Sequence, residues 1–272
     1  MWDFQIAGED LYHILNWFFI YSFLGWVWES SYVSVKEKRP VNRGFVTGPV
    51  CTIYGFGAVS VYLILKPISN NLLYLYLGGV IVPTILEYLT AVLMEQIFHM
   101  SWWDYSKNRF NFQGRICLGA SLGWGIFSMI LFYVFQPFVN WITALYSVTF
   151  GKVLVTLAAL VYAADFGMSF LNAMQVGERL GRMDELLEET AELRKRLEMR
   201  MDALAAFTAG MTAAEYKNHL EERIRALHSR YEQMKARSSR LNRRVMNAYP
   251  NLKSRRQAFK ERLQSREKSK RI

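Results

Sequence analysis

Residues 72–98, LLYLYLGGVIVPTILEYLTAVLMEQIF, decide the fold class of this chain. The stretch is apolar on every side and is longer than the roughly 20 residues that a helix needs to cross a bilayer. A buried helix of a soluble protein is the alternative, but such a helix is normally shorter and keeps a polar face. The stretch therefore predicts a transmembrane helix, whose only charged residues are Glu87 and Glu95.

Four other stretches of the sequence are apolar over a similar length. Together with the first they predict five spans, at about 11–33, 45–65, 72–98, 116–135 and 153–173. A chain that is 52% hydrophobic and 15% aromatic suits such a domain. We therefore expect an all-α, polytopic transmembrane domain over residues 1–174.

The net positive charge of the chain comes from its last third. Residues 1–174 contain 9 Lys and Arg against 9 Asp and Glu, whereas residues 175–272 contain 24 against 14, which gives the whole net charge of +10. Helices are predicted at about 176–208 and 212–248, with Gly210 ending the first and Thr212 with Glu215 capping the second. This region reads as a basic helical tail.

Both tail helices carry apolar residues at heptad spacing. In the second helix the series is Leu220, Ile224, Leu227, Tyr231, Met234, Ser238, Leu241 and Val245. Such a series is typical of a coiled coil, here within an antiparallel helical hairpin. Self-association into a homo-oligomer through the same residues is the alternative. The basic stretch 253–271 either lies along anionic lipid head groups or is a disordered end. Nucleic-acid binding is not expected, because any basic tail tethered to a membrane shows such a charge excess.

The positions of Lys and Arg in the loops predict the orientation. Basic residues concentrate in the first loop, in the third loop and in the tail, so these parts are expected in the cytoplasm. The N-terminus, with Asp3, Glu9 and Asp10, is then outside. The positively charged start of a cleavable signal peptide is missing. We expect a multi-pass protein of a bacterial cell membrane whose C-terminus is cytoplasmic.

Acidic residues inside the predicted spans are the main candidates for chemistry. A charge at this depth costs roughly 2.5–3.5 kcal/mol on insertion scales, so each one needs a reason. Glu29, Glu87, Glu95 and Asp165 all fall in the half nearer the cytoplasm, and Arg43 and Arg115 enter the membrane beside them. In one interpretation Glu29, Arg43, Glu87 and Arg115 form buried ion pairs that fix the helix order. In the other the carboxylates line a polar pocket.

The loop after the third span supplies further pocket candidates. Asp104 and Ser106 are able to cap a short helix at the interface, with Trp103 and Tyr105 fixing its depth. Alternatively the loop folds back over the pocket. The candidate ligand-binding residues are then Glu29, Arg43, Tyr54, Glu87, Asp104, Tyr105, Asn111 and Arg115, with Glu95 and Asp165 in a second tier.

The chemistry of these candidates leaves two kinds of ligand open. Hard oxygen ligands suit a cation, including a divalent one such as Mg²⁺, and arginines suit a phosphate head group. Cys51, Cys117 and the scattered histidines show no metal-binding or catalytic pattern. No resident cofactor is expected, and an enzymatic activity is left uncertain.

Several separated motifs carry a family resemblance. They are Asn42-Arg43-Gly44-Phe45, Gly48-Pro49, Tyr54-Gly55-Phe56-Gly57, Glu87, Glu95, Trp103-Asp104-Tyr105-Ser106, Asn111 and Gly114-Arg115-Ile116-Cys117. In this order they resemble the bacterial membrane family known as "putative ABC-transporter type IV" or "putative ABC transporter permease". The resemblance covers roughly residues 10–150 and leaves out the tail. It implies a permease-like component of a transporter.

Three functions follow from these features. In the first, the chain is the membrane component of a transporter; because it lacks a G-x-x-x-x-G-K-[ST] motif, a separate ATPase subunit would dock on the tail. In the second, the pocket acts on a lipid substrate, with Asp104 or Glu87 as an acid, a base or a metal ligand. In the third, the membrane domain is a scaffold that presents the tail to a partner protein.

Overall fold

The computed structural model of this protein describes residues 2, 4–205, 210–236, 240–249, 252–254, 257–258 and 260. In this part of the chain it has eight α-helices: α1 (Leu11–Glu37), α2 (Thr52–Leu65), α3 (Leu72–Phe98), α4 (Leu118–Ile130), α5 (Gln136–Ala144), α6 (Val148–Ala205), α7 (Gly210–Ala236) and α8 (Arg240–Ala248). Short strands form three antiparallel pairs: β1 (Gln5–Ile6) with β2 (Glu9–Asp10), β3 (Met100–Ser101) with β6 (Lys253–Ser254), and β4 (Asn111–Phe112) with β5 (Ile116–Cys117).

Three helical stretches of the described chain are long and apolar enough to cross a membrane. They are Leu72–Phe98, Leu118–Ala144 and Val148–Arg196, and a shorter apolar helix covers Thr52–Ile68. Helix α1 has 27 residues, but polar side chains such as Asn16, Ser22 and Glu29 lower its mean hydropathy. The expected helical fold with long apolar helices is confirmed, while the count of five spans stays a prediction.

The bounds of the third predicted span agree with α3. Asn71 caps this helix, since its side chain accepts hydrogen bonds from the backbone N–H groups of Leu73 and Tyr74 at 3.0 and 3.2 Å. At the other end His99 takes the left-handed conformation, with φ 54°, which stops the helix.

The predicted start of the second span, at residue 45, is wrong. Residues 38–51 form an irregular loop, and α2 begins only at Thr52. The backbone N–H groups of Thr47 and Gly48 donate to the Asp165 carboxylate, at 3.0 and 2.7 Å. The N–H of Cys51 donates to the Ser22 carbonyl at 2.9 Å. These donors are bonded to other elements, so this part of the loop does not continue α2 as a helix.

The helix at the fourth predicted span, about 116–135, begins close to the predicted start but extends well past the predicted end. Ile116 and Cys117 belong to β5, so the helix begins at Leu118. It then continues through a π-helical turn, Leu131–Phe135, into α5 and ends at Ala144. Pro137 does not break it, because it lies in the first turn of α5, where a missing N–H is tolerated. The predicted loop from 136 onward is therefore largely helical.

The four helices α1 to α4 pack as two neighbouring pairs, α1 with α2 and α3 with α4. Gly55 allows close approach in the first pair, since a Cβ there would lie 2.0 Å from the Ser22 hydroxyl oxygen. Gly79 has the same role in the second pair, against Ser128. A buried cluster joins these helices with the π-helical turn and α5: Ile14, Trp17, Tyr21, Val59, Val61, Leu65, Leu75, Leu131 and Val139.

Helix α6 runs without a break through the fifth predicted span and into the first predicted tail helix. Helix α7 packs back along it: Leu193 contacts Leu220 and Leu227, and Arg223 pairs with Glu189 at 3.3 Å. Helix α7 begins at Gly210, so Thr212 lies inside the helix and not at its cap. Residues 206–209, where the predicted first tail helix ends, lie outside the described residues.

The second predicted tail helix, 212–248, is described as two helices, α7 and α8, with 237–239 outside the described residues. Helix α8 returns to the apolar helices. Val245, predicted in the heptad series, instead packs in a second buried cluster with Phe98, Met100, Trp102, Ala173 and Val176. The pairing of β3 with β6 reinforces this contact. Helix α8 and β6 thus pack in the same folded unit as α3.

Candidate functional site

Most predicted site residues lie at one end of the helices, which we call the arginine end. Here α1 and α3 finish, α2 and α4 begin, and the loops 38–51 and 99–117 contain Arg43 and Arg115. Both α1 and α3 stop at a residue other than glycine in the left-handed conformation, Lys38 with φ 52° and His99 with φ 54°. These two sharp ends turn the loops back across the helices.

Glu29, Arg43 and Tyr54 form the first group at this end. The Tyr54 hydroxyl donates to Glu29 at 2.7 Å, and the Arg43 Nε donates to the other carboxylate oxygen at 3.4 Å. The Arg43 guanidinium also lies 4.3 Å from the centre of the Tyr249 ring and donates to the Ala248 carbonyl. The Tyr249 hydroxyl donates to the Arg43 carbonyl at 2.7 Å. The sequence predicts Glu29, Arg43 and Tyr54 as site residues, but it does not predict that Ala248 and Tyr249 of the tail contact Arg43.

Glu87 is the centre of a second group. The Tyr105 hydroxyl donates to one of its oxygens at 3.0 Å, and the indole N–H of Trp124 donates to the other at 3.1 Å. Burial raises the pKa of the Tyr105 hydroxyl, and the carboxylates of Glu87 and Glu29 raise it further. Tyr105 therefore stays a neutral donor at physiological pH.

Arg115 pairs with Glu95. Its Nε and one terminal nitrogen lie 3.1 and 2.6 Å from the same oxygen of Glu95, whose residue is only 4% exposed. Gln113 and Tyr88 complete the group, since Arg115 and the Tyr88 hydroxyl both donate to the Gln113 side-chain oxygen. The sequence predicted ion pairs among Glu29, Arg43, Glu87 and Arg115, of which the structure has Arg43 with Glu29. Arg115 pairs instead with Glu95, a second-tier candidate.

Asp104 and Asn111 organise the loop 99–117. Asp104 accepts a hydrogen bond from the N–H of Ser106 at 2.9 Å. Asn111 donates to the Asn108 carbonyl at 2.8 Å and accepts from the N–H of Gly114 at 3.0 Å. The short helix that Asp104 and Ser106 were predicted to cap is not formed, because residues 103–105 are irregular and residues 106–110 make turns. The loop does fold back, as its Tyr105 reaches Glu87.

Asp165 holds the other loop. Besides the two backbone N–H groups of Thr47 and Gly48, it accepts from the Ser169 hydroxyl at 3.3 Å. Arg244 of α8 binds the same loop, donating to the Gly44 carbonyl at 3.0 Å, to the Thr47 hydroxyl at 3.1 Å and to the Val46 carbonyl. Sequence analysis missed Arg244, Tyr249 and Trp124, because no spacing in the sequence places the tail or the Trp124 indole beside these groups.

The predicted residues therefore do not meet in one cluster. Glu29 with Arg43 and Tyr54, Glu87 with Tyr105 and Trp124, Glu95 with Arg115, and Asp165 with the loop 38–51 form four groups. In the described part of the chain no three His, Cys, Asp or Glu residues are grouped to hold a metal ion.

These features define the class of protein first: a helical membrane protein with carboxylates and arginines gathered at one end of its helices. No curated protein and no solved structure matches the chain. The chain belongs to the family described as "Putative ABC-transporter type IV", whose sequence profile matches residues 16–170. This match confirms the family that the motifs indicated. It covers α2 to α5 completely, with most of α1 and the apolar part of α6.

Proposed function

We propose that this chain is the membrane component of a transport system and that it binds its ligand at the arginine end, between Glu29 and Glu87. The observation that carries the proposal is the environment of Glu87. It lies eleven positions before the end of α3, roughly 16 Å along the helix, and its two hydrogen bonds come from the neutral groups Tyr105 and Trp124. A carboxylate kept at such depth is a sign of function.

A cation is the better candidate for the ligand than an anionic head group. Arg43 and Arg115 are the nearest cations that would receive a phosphate, and each already pairs with a carboxylate, Glu29 and Glu95 respectively. Among the described residues, no Lys or Arg forms an ion pair with Glu87. Binding a phosphate would require breaking an existing pair, whereas binding a cation at Glu87 would not.

The energy for transport would come from another protein. The sequence lacks a phosphate-binding loop for ATP, as Gly151-Lys152-Val153 has neither the leading glycine nor the Ser or Thr of that motif. The exposed faces of α6 and α7 are where a separate ATPase subunit would dock. In the orientation that the loop charges predict, these helices and the arginine end face the cytoplasm, in a multi-pass arrangement.

Ligand-dependent stability of the purified full-length protein tests the proposal. We would measure its thermal unfolding in detergent with a series of ligands: Na⁺, K⁺, Mg²⁺, methylammonium, inorganic phosphate and glycerol phosphate. We expect a cation to raise the melting temperature of the native protein and to have no such effect on Glu87→Gln. Glu178→Gln is the matched control, because Glu178 has a side chain that is 60% exposed on α6.

Two results would contradict the proposal. Equal stabilisation of the native protein and of Glu87→Gln would place the ligand elsewhere. An absence of stabilisation by every ligand in the series, with the protein folded and monodisperse, would leave the buried carboxylate as a structural group only.

A further inference from the structure

The two loops of the arginine end contain the same sequence motif. Residues 42–51 read NRGFVTGPVC and residues 108–117 read NRFNFQGRIC. Asparagine, arginine, glycine and cysteine stand at the same four positions, and the residue before the cysteine is Val in one and Ile in the other. The match is short, so its meaning depends on whether the two segments also have the same place in the structure.

The structural surroundings of the two segments agree. Each follows a helix of 27 residues that ends at a residue other than glycine in the left-handed conformation. Each ends in a cysteine with extended backbone that is the N-terminal cap of the next helix: Cys51 before α2 and Cys117 before α4. In both cases the helix before the loop packs against the helix after it. The units α1–α2 and α3–α4 thus have one design.

Each unit also places one carboxylate against one aromatic donor. Glu29 accepts from Tyr54, three positions after Cys51, and Glu87 accepts from Trp124, seven positions after Cys117. Glu29 comes nine positions before the helix end at Lys38, while Glu87 comes twelve before the helix end at His99. Glu87 and Trp124 therefore each lie about one helical turn farther from the loop than Glu29 and Tyr54 do. The same kind of contact is made in both units, one turn deeper in the second.

The units differ in what neutralises the carboxylate. In the first unit the arginine of the motif, Arg43, pairs with Glu29. The corresponding arginine of the second unit, Arg109, is exposed at the surface. Between the helix end and the motif the second unit has five additional residues, since His99 to Asn108 spans nine positions and Lys38 to Asn42 spans four. Tyr105 lies in this longer segment, and it is Tyr105 that reaches Glu87.

From this comparison we infer that α1–α2 and α3–α4 are two copies of one unit, and that Glu87 binds from solution the kind of cation that Arg43 provides to Glu29 within the chain. The ligand class is a small organic cation with N–H donors, a guanidinium or a primary ammonium. The inference rests on the proposed function and specifies its ligand. Repeated units related in this way place transporter binding sites at their interface.

The first unit shows how such a cation is held. The Arg43 guanidinium has a carboxylate, Glu29, on one side and the Tyr249 ring on another, and it donates to a backbone carbonyl. Aromatic rings attract cations across their faces, and Trp is the strongest of them. Around Glu87 the corresponding aromatic groups are Tyr105 and Trp124. A bound cation would pair with the Glu87 carboxylate beside the rings of Tyr105 and Trp124.

The test counts binding sites for methylguanidinium on the purified full-length protein, by equilibrium dialysis of the ¹⁴C-labelled compound at concentrations too low to unfold the protein. We expect one site on the native protein. In Glu87→Gln the loss of a charged hydrogen bond should lower the affinity by about 10- to 100-fold, so that no site is detected at the same concentrations. Arg43→Ala exposes the carboxylate of the first unit, so we expect it to bind two equivalents. Arg43→Ala with Glu87→Gln should bind one.

The outcomes separate this inference from the proposed function. If the native protein binds K⁺ through Glu87 but does not bind methylguanidinium, the proposed function stands and the inference is overturned. If Arg43→Ala is folded and binds no additional equivalent, the two units are not equivalent and the inference fails. Should Arg43→Ala not fold, the native protein against Glu87→Gln still decides whether Glu87 takes this cation. Arg109→Ala checks the remaining possibility: tighter binding by tenfold would mean that Arg109 itself neutralises Glu87, which overturns the inference.

Discussion

The two halves of the helical bundle solve the problem of buried polar groups differently. In the half away from the arginine end, neutral side chains bond to each other: the Tyr21 hydroxyl to Gln136 at 2.5 Å, Gln136 to Asn140 at 3.1 Å, and the Trp17 indole to Asn140 at 3.0 Å. At the arginine end the corresponding groups are carboxylates and guanidiniums, of which Glu95 is buried and Glu29, Arg43 and Arg115 are half-buried. Neutral groups are satisfied by one good partner, whereas a charge also needs an opposite charge.

This difference distinguishes polar groups that hold the helices together from the carboxylate proposed to bind a ligand. Tyr21 and Gln136 are 5% and 3% exposed, and their hydrogen bonds join α1 to α5. Glu87 is only partly buried and has two neutral donors. Removing a neutral partner should cost stability alone, while changing Glu87 should cost binding. Breaking a closed ion pair should cost most of all.

The largest effect on stability is expected from Arg115→Ala. It leaves the Glu95 carboxylate buried without its guanidinium, which typically destabilises a protein by about 3–5 kcal/mol. The measurement is thermal or denaturant-induced unfolding of the purified protein in detergent, followed by circular dichroism. The double variant Glu95→Gln with Arg115→Gln should recover most of the loss, because it removes both charges. A loss below about 1 kcal/mol for Arg115→Ala would show that this pair is not closed.

The next effect concerns the docking of the tail. Arg244→Ala removes the hydrogen bonds to Gly44, Val46 and Thr47, and bonds from a charged donor contribute about 1.5–3 kcal/mol. We expect amide hydrogen exchange in residues 44–48 to speed up by at least about tenfold. Arg182→Ala is the control, since the Arg182 side chain is 65% exposed and pairs only along its own helix at 3.5 Å. Unchanged exchange in Arg244→Ala would mean that Asp165 alone fixes the loop.

A smaller loss is expected in the neutral half. Tyr21→Phe removes one donor to Gln136 and should destabilise the protein by about 1 kcal/mol, without changing ligand binding at the arginine end. Unfolding and ligand titration of the same preparation give both quantities. A loss as large as that of Arg115→Ala would contradict the distinction between the two halves.

The smallest effect belongs to a charge outside the helices. Burial alone would raise the pKa of Asp10, but the backbone N–H and the ring of His13 outweigh it and lower the pKa below 3.8. Its contribution is therefore complete above pH 3.8 and is lost as the pH falls through the lowered value. Asp10 caps α1, so Asp10→Ala should cost about 1 kcal/mol at pH 7 and much less at pH 2. Melting curves at both pH values provide the check, and a pH-independent loss would exclude the charged cap.

The sequence predicts those parts of the fold that depend on one helix at a time. The bounds of α3 agree with the predicted span because a long apolar run is a local signal. The start of α2 was wrong because hydropathy includes the loop residues Phe45 to Cys51, whose backbone donors are bonded by Asp165 and Ser22. The extent of α4 and α5 was wrong because Gln136 and Pro137 look like a loop, although a π-helical turn carries the helix past them.

The candidate site was predictable in its residues but not in its pairing. Depth alone identifies Glu29, Glu87 and Glu95 as unusual. Which carboxylate meets Arg115 depends on helix rotation and on the path of the 19-residue loop 99–117, and neither is readable from spacing. The contribution of Arg244 and Tyr249 depends on α8 returning nearly 200 positions later to the first loop.

The continuity of α6 has a mechanical consequence. Its 58 residues extend for roughly 87 Å as one rigid rod. The first half of this rod contacts α1 and α3, and the second half supports α7. If α6 tilted by about 5° about its midpoint, its far end, roughly 44 Å away, would move sideways by roughly 4 Å. Helix α6 thus connects the apolar helices directly to α7, with no hinge between them.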